Sequence, residues 1–184
     1  MTEDSTNTDI PTPRMLAWAR NSTIYRLDRQ MMTERQLFDA ISRKARQKFA
    51  DISDMQLRAV ADFAVRFAYD NKGLDDAAYA EISTRSGVRS GRSKRLIARK
   101  LSQKGVENSL VDEALQQADD LVAAVVFARK RGFGPFRRGE LDEKRKAKEL
   151  AAFARNGFGY EIGKKVFEMS PPEAEDALST GLPG

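Results

Sequence analysis

Apolar residues recur at helical spacing along most of the chain, and no stretch shows the strict alternation that is typical of a β-strand. The clearest pattern predicts a helix over residues 54–71. Its buried face comprises Leu57, Val60, Ala61, Ala64, Phe67 and Ala68. Ser53 or Asp54 can cap its start, and Gly73 can end it. The pattern as a whole predicts an all-α protein.

Shorter apolar stripes predict further helices on both sides of this one. They cover residues 15–27, a segment beginning at Thr33, a segment capped by Asp75 or Asp76, residues 93–103, a short segment around residues 110–115, and residues 141–155. Gly105 follows the fourth of these and is predicted to end it in the left-handed conformation. Trp18, the only tryptophan, is expected in the core of the first part of the chain.

Two spacings repeat along the chain. Lys104-Gly105-Val106, followed by Leu110 and Ala114-Leu115, returns 52 residues later as Asn156-Gly157-Phe158, followed by Ile162 and Val166-Phe167. Leu37 and Ile41 likewise lie 60 residues before Ile97 and Leu101. We interpret these offsets as three copies of a three-helix unit, in residues 14–73, 74–117 and 118–169. One copy cannot bury its own apolar face, so the copies are expected to stack into an elongated array.

The two ends of the chain have a different composition. Residues 1–13 are rich in Thr, Ser, Asp and Pro, and residues 170–184 in Pro, Gly and acidic residues. Pro171 and Pro172 are expected to stop the preceding helix. Both ends are therefore predicted to be disordered. The N-terminus lacks the basic start and apolar centre of a signal peptide, and no apolar run is long enough for a membrane span, which favours the cytoplasm.

Positive charge is concentrated in the second of these copies. Residues 82–106 hold eight basic side chains and no acidic one, within a chain of formal net charge +5. Arg92, Arg95 and Arg99 are spaced three and four apart, which would place them within about 60° of arc on one helix. Such a block of charge attracts polyanions or an acidic protein surface. The alternative is an ordinary solvated helix face.

The composition excludes several kinds of catalysis. The 184 residues include no Cys and no His, which removes disulfides, thiolate metal sites, cysteine nucleophiles and imidazole acid–base chemistry. The run from Gly157 to Lys165 lacks the spacing of a phosphate-binding loop. Asp75-Asp76 and Asp119-Asp120 are better explained as helix caps than as metal ligands. We therefore expect no catalytic residue, no metal and no cofactor.

Four segments together resemble the RecX family of bacterial regulatory proteins. They are Gly73-Leu74-Asp75-Asp76 with Tyr79-Ala80; Gly91-Arg92-Ser93-Lys94-Arg95-Leu96-Ile97 with Leu101; Gln103-Lys104-Gly105-Val106 with Leu110, Val111, Glu113, Ala114 and Leu115; and Phe153-Ala154 with Gly157-Phe158, Tyr160 and Ile162. Their order and spacing fit the family from about residue 15 to residue 169, and the combination is more specific than any one segment.

The resemblance implies tandem three-helix repeats in a curved, all-α molecule. It also implies a monomeric partner of the RecA recombinase that lies along the RecA–DNA filament. There it would lower ATP hydrolysis, strand exchange and co-protease activity, and so regulate DNA repair, recombination and the SOS response. Direct DNA binding through the basic helix of residues 93–103 is the alternative, with weak, salt-sensitive affinity expected from counterion release.

The candidate partner-binding residues are basic side chains of the second and third copies. They are Arg89, Arg92, Lys94, Arg95, Arg99, Lys100, Lys104, Arg137, Arg138, Lys144, Arg145 and Lys148. Acidic neighbours at 140, 142, 143 and 149 could instead pair with the members of the third copy. Phe133 and Phe136 lie among basic residues and could stack on single-stranded nucleic acid, although packing between copies two and three is the other interpretation.

Overall fold

The computed structural model describes residues 9–181, and that range contains ten α-helices, one 3₁₀ turn and no strand. The helices are α1 (Pro13–Leu27), α2 (Glu34–Lys48), α3 (Asp54–Asp70), α4 (Asp76–Arg89), α5 (Lys94–Gln103), α6 (Asn108–Gln116), α7 (Asp120–Arg131), α8 (Glu143–Arg155), α9 (Tyr160–Glu168) and α10 (Pro171–Gly181), with the 3₁₀ turn at Gly134–Phe136. The all-α prediction is confirmed.

Polar side chains begin the helices close to where the sequence predicts. The Thr33 hydroxyl accepts from the backbone N–H of Gln36, and the Gln36 side chain accepts from the backbone N–H of Thr33. Ser53 and Gln56 make the same reciprocal pair at the start of α3. Each capping box satisfies two donors that the first helical turn leaves open.

The chain divides into two compact units. Unit 1 runs up to Tyr79 and includes Lys104–Val106, and unit 2 comprises Ala80–Gln103 and the residues from Glu107 onward. In unit 1, α3 packs against α1 and α2 through the stripe that the sequence predicts, with Val60, Ala61 and Ala64 fully buried. Trp18 is half-buried and meets Phe49 edge to face at 5.5 Å between ring centroids.

Unit 2 is organised around α7. Seven consecutive residues of this helix, from Val122 to Ala128, are buried, so it is surrounded rather than amphipathic. Phe127 lies in a cluster with Phe133, Phe153 and Phe158, at centroid distances of 5.4 to 6.1 Å. A helix that is apolar on every side has no polar stripe, which is why spacing alone does not single out α7.

The C-terminal prediction is wrong for residues 171–181, which form α10 rather than a disordered tail. Pro171 lies at the first position of the helix, where a missing N–H costs nothing and the fixed φ is favourable. Ser170 and Glu173 hydrogen-bond at the start, and Ala174 and Leu178 are buried. At the other end, α1 begins at Pro13. Residues 1–8 and 182–184 of the predicted disordered ends lie outside the described residues.

One type of contact between helices occurs twice, and we call it the joint: a buried hydroxyl group that caps one helix also donates to a backbone carbonyl oxygen far along the chain. In unit 1 the fully buried Thr33 hydroxyl donates to the carbonyl oxygen of Lys104 at 2.6 Å. In unit 2 the fully buried Ser93 hydroxyl donates to the carbonyl oxygen of Asn156 at 2.7 Å. Each hydroxyl also accepts from the backbone of the helix that it caps. Thr33 and Ser93 are 60 residues apart, and Lys104 and Asn156 are 52 apart.

A left-handed glycine completes each joint. Gly105 has φ +83° and Gly157 has φ +79°. A Cβ at Gly105 would lie 2.3 Å from Cδ of Arg35, and one at Gly157 would lie 2.6 Å from Oγ of Ser93. The offset of 60 residues therefore separates the two buried hydroxyl groups, and the offset of 52 residues separates the two carbonyl groups that they bind. This equivalence supports a common repeat. The boundaries of the three copies, at residues 73/74 and 117/118, stay predictions.

Candidate interaction surface

Helix α5 presents basic side chains to solvent because its apolar side is anchored. Ile97 and Leu101 are buried, with 3% and 1% of their surface exposed. Ser93 caps the start, its hydroxyl accepting from the backbone N–H of Leu96. Arg95 and Arg99, one turn apart, consequently lie exposed on the opposite side. The predicted stripe is therefore present for these two arginines.

Arg92 does not belong to helix α5. The prediction that Arg92, Arg95 and Arg99 lie on one side of a single helix is therefore wrong for Arg92. Ser93 takes the capping position, so Arg92 lies in the preceding turn. Its backbone N–H donates to the carbonyl oxygen of Gly87 at 3.0 Å, after a left-handed Gly91 with φ +74°. The Arg92 side chain is exposed beside the start of α5, but its direction is set by this turn rather than by helical spacing.

The basic side chains at α5 are not neutralised within the described part of the chain. Arg92, Lys94, Arg95, Arg99 and Lys100 make no ion pair there, and we call these five side chains the cationic face. Three of them lie at the N-terminal end of α5, where the helix dipole disfavours positive charge. The carboxylate of Asp120 partly compensates, because it accepts from the backbone N–H of Lys94 at 2.6 Å. Helix stability therefore does not explain their placement.

The other two candidates of the second copy have different environments. Arg89 is exposed in the last turn of α4, where a cation complements the helix dipole. Lys104 is half-buried, and its backbone carbonyl takes part in the joint with Thr33.

The candidates of the third copy fall into two groups. Arg138, Lys144 and Lys148 are exposed. Arg137 and Arg145 instead bind Glu149, a carboxylate with 1% of its side chain exposed. Arg137 donates from Nε and Nη2 to the two Glu149 oxygens at 2.9 and 2.7 Å, and Arg145 donates from Nε at 3.2 Å. Both guanidinium groups are thus paired within unit 2, and the Arg145 side chain remains 34% exposed.

The Glu149 carboxylate also organises the loop before α8. It accepts from the backbone N–H of Gly134 at 3.0 Å. Burial alone would raise the pKa of Glu149, but the hydrogen bonds from Arg137, Gly134 and Arg145 outweigh it and hold the pKa below its ordinary value. The same pairing raises the pKa of Arg137. The site is a satisfied internal ion cluster.

The repeat pattern in the sequence indicates that Glu149 is buried, although its composition and local spacing do not. Aligned on Gly105 and Gly157, Glu149 occupies the position of Ile97, and Phe153 that of Leu101. All four are buried. A glutamate at a core position of the repeat, with arginines nearby, indicates a buried ion pair. Local i,i+4 spacing instead favours a solvated pair, as the sequence analysis supposed.

Both rings of the aromatic loop are half-buried. Phe133 packs against Phe127 and Phe153 in unit 2, which favours the packing interpretation for this ring. Phe136 is half-buried, with the Arg129 guanidinium 5.7 Å from its ring centroid. Arg129 also pairs with Glu175 of α10 at 3.4 Å. Stacking of Phe133 on a nucleic acid would compete with its contacts to Phe127 and Phe153.

The paired aspartates act as helix caps. Asp75 accepts from the backbone N–H of Ala78 at the start of α4, and Asp119 accepts from the N–H groups of Leu121 and Val122 at the start of α7. Over residues 9–181, no group of three or more Asp and Glu side chains is arranged to hold a metal ion. In the same range, no helix is long and apolar enough to cross a membrane.

Known proteins of one family share this sequence and fold. The regulatory protein RecX of Agrobacterium fabrum strain C58 is 64% identical over 169 residues, which cover 92% of both chains. The chain belongs to the RecX family. The RecX protein of Myxococcus xanthus strain DK1622 is 36% identical over 162 residues, covering 84% of this chain and 86% of its own. The model of the second three-helix domain of RecX matches residues 75–115, which contain the whole cationic face.

Two solved RecX structures have the same fold. The crystal structure of RecX from Lactobacillus salivarius superposes with a TM-score of 0.63 at 18% identity, over 85% of this chain and 97% of that one. Another crystal structure of regulatory protein RecX gives the same TM-score at 20% identity, over 84% of this chain and 74% of that one. At these identities the likeness concerns the fold. Family membership rests on the closer sequence relatives.

Proposed function

We propose that this RecX-family chain is a cytoplasmic, monomeric negative regulator of the RecA recombinase. It binds the RecA filament on DNA and lowers ATP hydrolysis, strand exchange and co-protease activity, and thereby regulates DNA repair, recombination and the SOS response. It acts by binding rather than by catalysis. The observation that carries the proposal is the cationic face: five basic side chains that make no ion pair with any residue of the range 9–181, on the part of the chain that matches the RecX family model.

The chemistry of the cationic face fits an extended anionic partner. Arg95 and Arg99 carry planar guanidinium groups that can grip a carboxylate or a phosphate with two parallel hydrogen bonds. Charge complementarity of this kind increases the association rate at low salt. A filament repeats its subunits, so one bound molecule that touches two of them gains effective concentration for the second contact. A molecule that spans two subunits would saturate the filament at about one molecule per two subunits, so we expect inhibition below equimolar concentration.

The experiment is a titration of RecA-catalysed ATP hydrolysis on single-stranded DNA with this protein, from far below the RecA concentration up to equality. It is repeated at two salt concentrations and with added competitor DNA. The proposal predicts strong inhibition at low ratio that survives competitor DNA. Inhibition that follows DNA coverage and disappears with competitor would favour the alternative, a direct DNA-binding protein. No inhibition under any condition would reject a RecA regulator.

The cationic face also favours the DNA-binding alternative, because arginine and lysine side chains bind DNA phosphates as well as carboxylates. Its affinity for naked DNA would fall steeply as salt rises, since each neutralised phosphate releases counterions. Binding of a labelled oligonucleotide, measured by anisotropy across the same two salt concentrations, gives the comparison directly. Affinity for naked DNA that is too weak to account for the inhibitory concentrations would reject this alternative.

A further inference from the structure

Unit 1 contains an open groove of about 380 Å³ between α1 and α2. Its lining combines aromatic and basic side chains: Trp18, Tyr25 and Arg26 from α1, and Lys44, Gln47 and Lys48 from α2. No carboxylate is among the described residues that line it. The cationic face lies in unit 2, so the groove is a separate feature of the chain.

The two aromatic rings of the groove are held in place without being covered. Trp18 is half-buried and meets Phe49 edge to face. The Arg29 guanidinium lies 4.6 Å from the centroid of the Tyr25 ring and donates a hydrogen bond to its hydroxyl, yet Tyr25 stays 61% exposed. Trp18 and Tyr25 are seven residues apart, which places them about 10 Å apart along the axis of α1. Rings held in this way lose little freedom when another flat ring stacks on them.

The positive charge of the groove has no counterion within unit 1. Lys44 and Lys48 are exposed and one turn apart on α2, and neither they nor Arg26 pair with an acid anywhere between residues 9 and 181. Lys44 donates only to the uncharged side chain of Gln47, at 3.0 Å. The surrounding sequence adds more positive charge, because residues 13–27 hold three basic and no acidic residues, and residues 41–48 hold four and none. The groove therefore attracts an anion.

Accessible rings beside unpaired cations favour a single nucleic acid strand over other anions. Proteins hold single strands by stacking bases on aromatic side chains while basic side chains bind the phosphates. An acidic protein surface matches the cations but offers the rings no flat partner. A duplex carries phosphates, but its bases are stacked on one another and cannot reach a ring on the protein surface. The groove thus matches an unpaired strand in both charge and shape.

We propose that the groove between α1 and α2 binds an unpaired segment of a nucleic acid strand. The rings of Trp18 and Tyr25 stack on bases, and the ammonium groups of Lys44 and Lys48 bind phosphates. This site differs from the DNA-binding alternative considered above, which uses the cationic face and contacts phosphates alone. It is independent of the proposed regulation of RecA, because it uses none of the residues of the cationic face.

The test uses the fluorescence of the full chain, because Trp18 is its only tryptophan and lines the groove. The probes are single-stranded oligothymidylate, a duplex of the same length, thymidine monophosphate, and an oligoglutamate peptide. We expect oligothymidylate to quench Trp18 at a concentration about tenfold lower than any other probe. Equal quenching by the duplex or the peptide would overturn single-strand recognition, and equal quenching by the monophosphate would assign the groove to free nucleotides instead. No quenching by oligothymidylate would overturn the proposal altogether.

Variants of exposed groove residues separate stacking from charge. Tyr25→Ala removes one ring and should weaken oligothymidylate binding about tenfold, whereas Tyr160→Ala, which removes a 67% exposed ring in unit 2, should not. Lys44→Gln with Lys48→Gln should lower the slope of log affinity against log salt by about 1.4, since each phosphate contact on a single strand contributes about 0.7. Circular dichroism checks that helix content is unchanged in every variant.

Two control variants test whether the strand binds at the groove or elsewhere. Arg58→Gln with Arg66→Gln removes two exposed charges from α3 of unit 1 and should leave the salt slope unchanged. Arg95→Gln with Arg99→Gln removes charge from the cationic face and should leave the quenching of Trp18 as in wild type. Undiminished binding by both groove variants, or loss of quenching only in the variant of the cationic face, would contradict the assignment.

Discussion

The buried Glu149 cluster gives the sharpest test of how unit 2 is held together. Glu149→Gln keeps the size of the side chain and removes its charge. Arg137, with 14% of its side chain exposed, then loses its counterion, and the two-oxygen acceptor is replaced by an amide. Arg145 is 34% exposed and can turn toward water, so most of the cost falls on Arg137.

The magnitude follows from this burial. Removing one partner of a fully buried ion pair costs about 3–5 kcal/mol. Because Arg137 keeps some access to water, we expect the lower part of that range, about 3 kcal/mol of unfolding free energy. Urea denaturation followed by circular dichroism measures it, with Glu143→Gln on the same helix as the control. A loss below about 1 kcal/mol, or an equal loss in the control, would refute a structural role for the cluster.

The pH dependence provides a second readout of the same variant. The pKa of Glu149 is lower in the folded chain than its unfolded value, about 4.3. Its contribution to stability is therefore complete above that unfolded value and is lost as pH falls through the folded pKa. The difference in unfolding free energy between wild type and Glu149→Gln should be constant near neutral pH and should shrink in acid. A difference that stays constant into acid would show that charge is not the cause.

Three further predictions concern the repeated joint and the core. Gly157→Ala should lower the unfolding free energy by about 1–3 kcal/mol, because φ is +79° and a Cβ would meet the Ser93 hydroxyl. In the same urea experiment Gly159→Ala should cost less, about 0.5 kcal/mol, because an added Cβ meets nothing within 4 Å and only the N-cap of α9 is weakened. Ser93→Ala should cost about 1–2 kcal/mol, since it removes both the cap of α5 and the bond to Asn156, and a neutral result would contradict the joint. Truncation to residue 169 should destabilise unit 2, measured as a lower melting temperature, because Ala174 and Leu178 of α10 are buried; an unchanged value would restore the disordered-tail prediction.

Local patterns predicted the helices whose polar and apolar sides differ. The α3 stripe, the caps at Thr33 and Ser53, and the left-handed Gly105 all depend on interactions within a few residues. α7 was not singled out, because its buried residues surround the helix and leave no periodic signal. The α10 prediction failed because Pro171 was interpreted as a stop, although proline also begins helices.

The candidate interaction surface was predicted only where local helix geometry decides which side chains are exposed. The exposure of Arg95 and Arg99 follows from Ile97 and Leu101 being buried on the same helix. The pairing of Arg137 with Glu149 joins the loop before α8 to the helix itself, and such a contact depends on tertiary packing. Arg92 lies outside the predicted stripe because the Ser93 hydroxyl accepts from the backbone N–H of Leu96 and so fixes where α5 starts.

The most direct test of the central claim compares two double variants in RecA-catalysed ATP hydrolysis on single-stranded DNA. Arg95→Gln with Arg99→Gln removes two charges from the cationic face. Arg58→Gln with Arg66→Gln removes two exposed charges from α3 and serves as the matched control. Our account predicts that the first variant needs about tenfold more protein for half-inhibition, at unchanged helix content, while the control matches wild type. Equal inhibition by both variants and wild type would contradict a role for the cationic face.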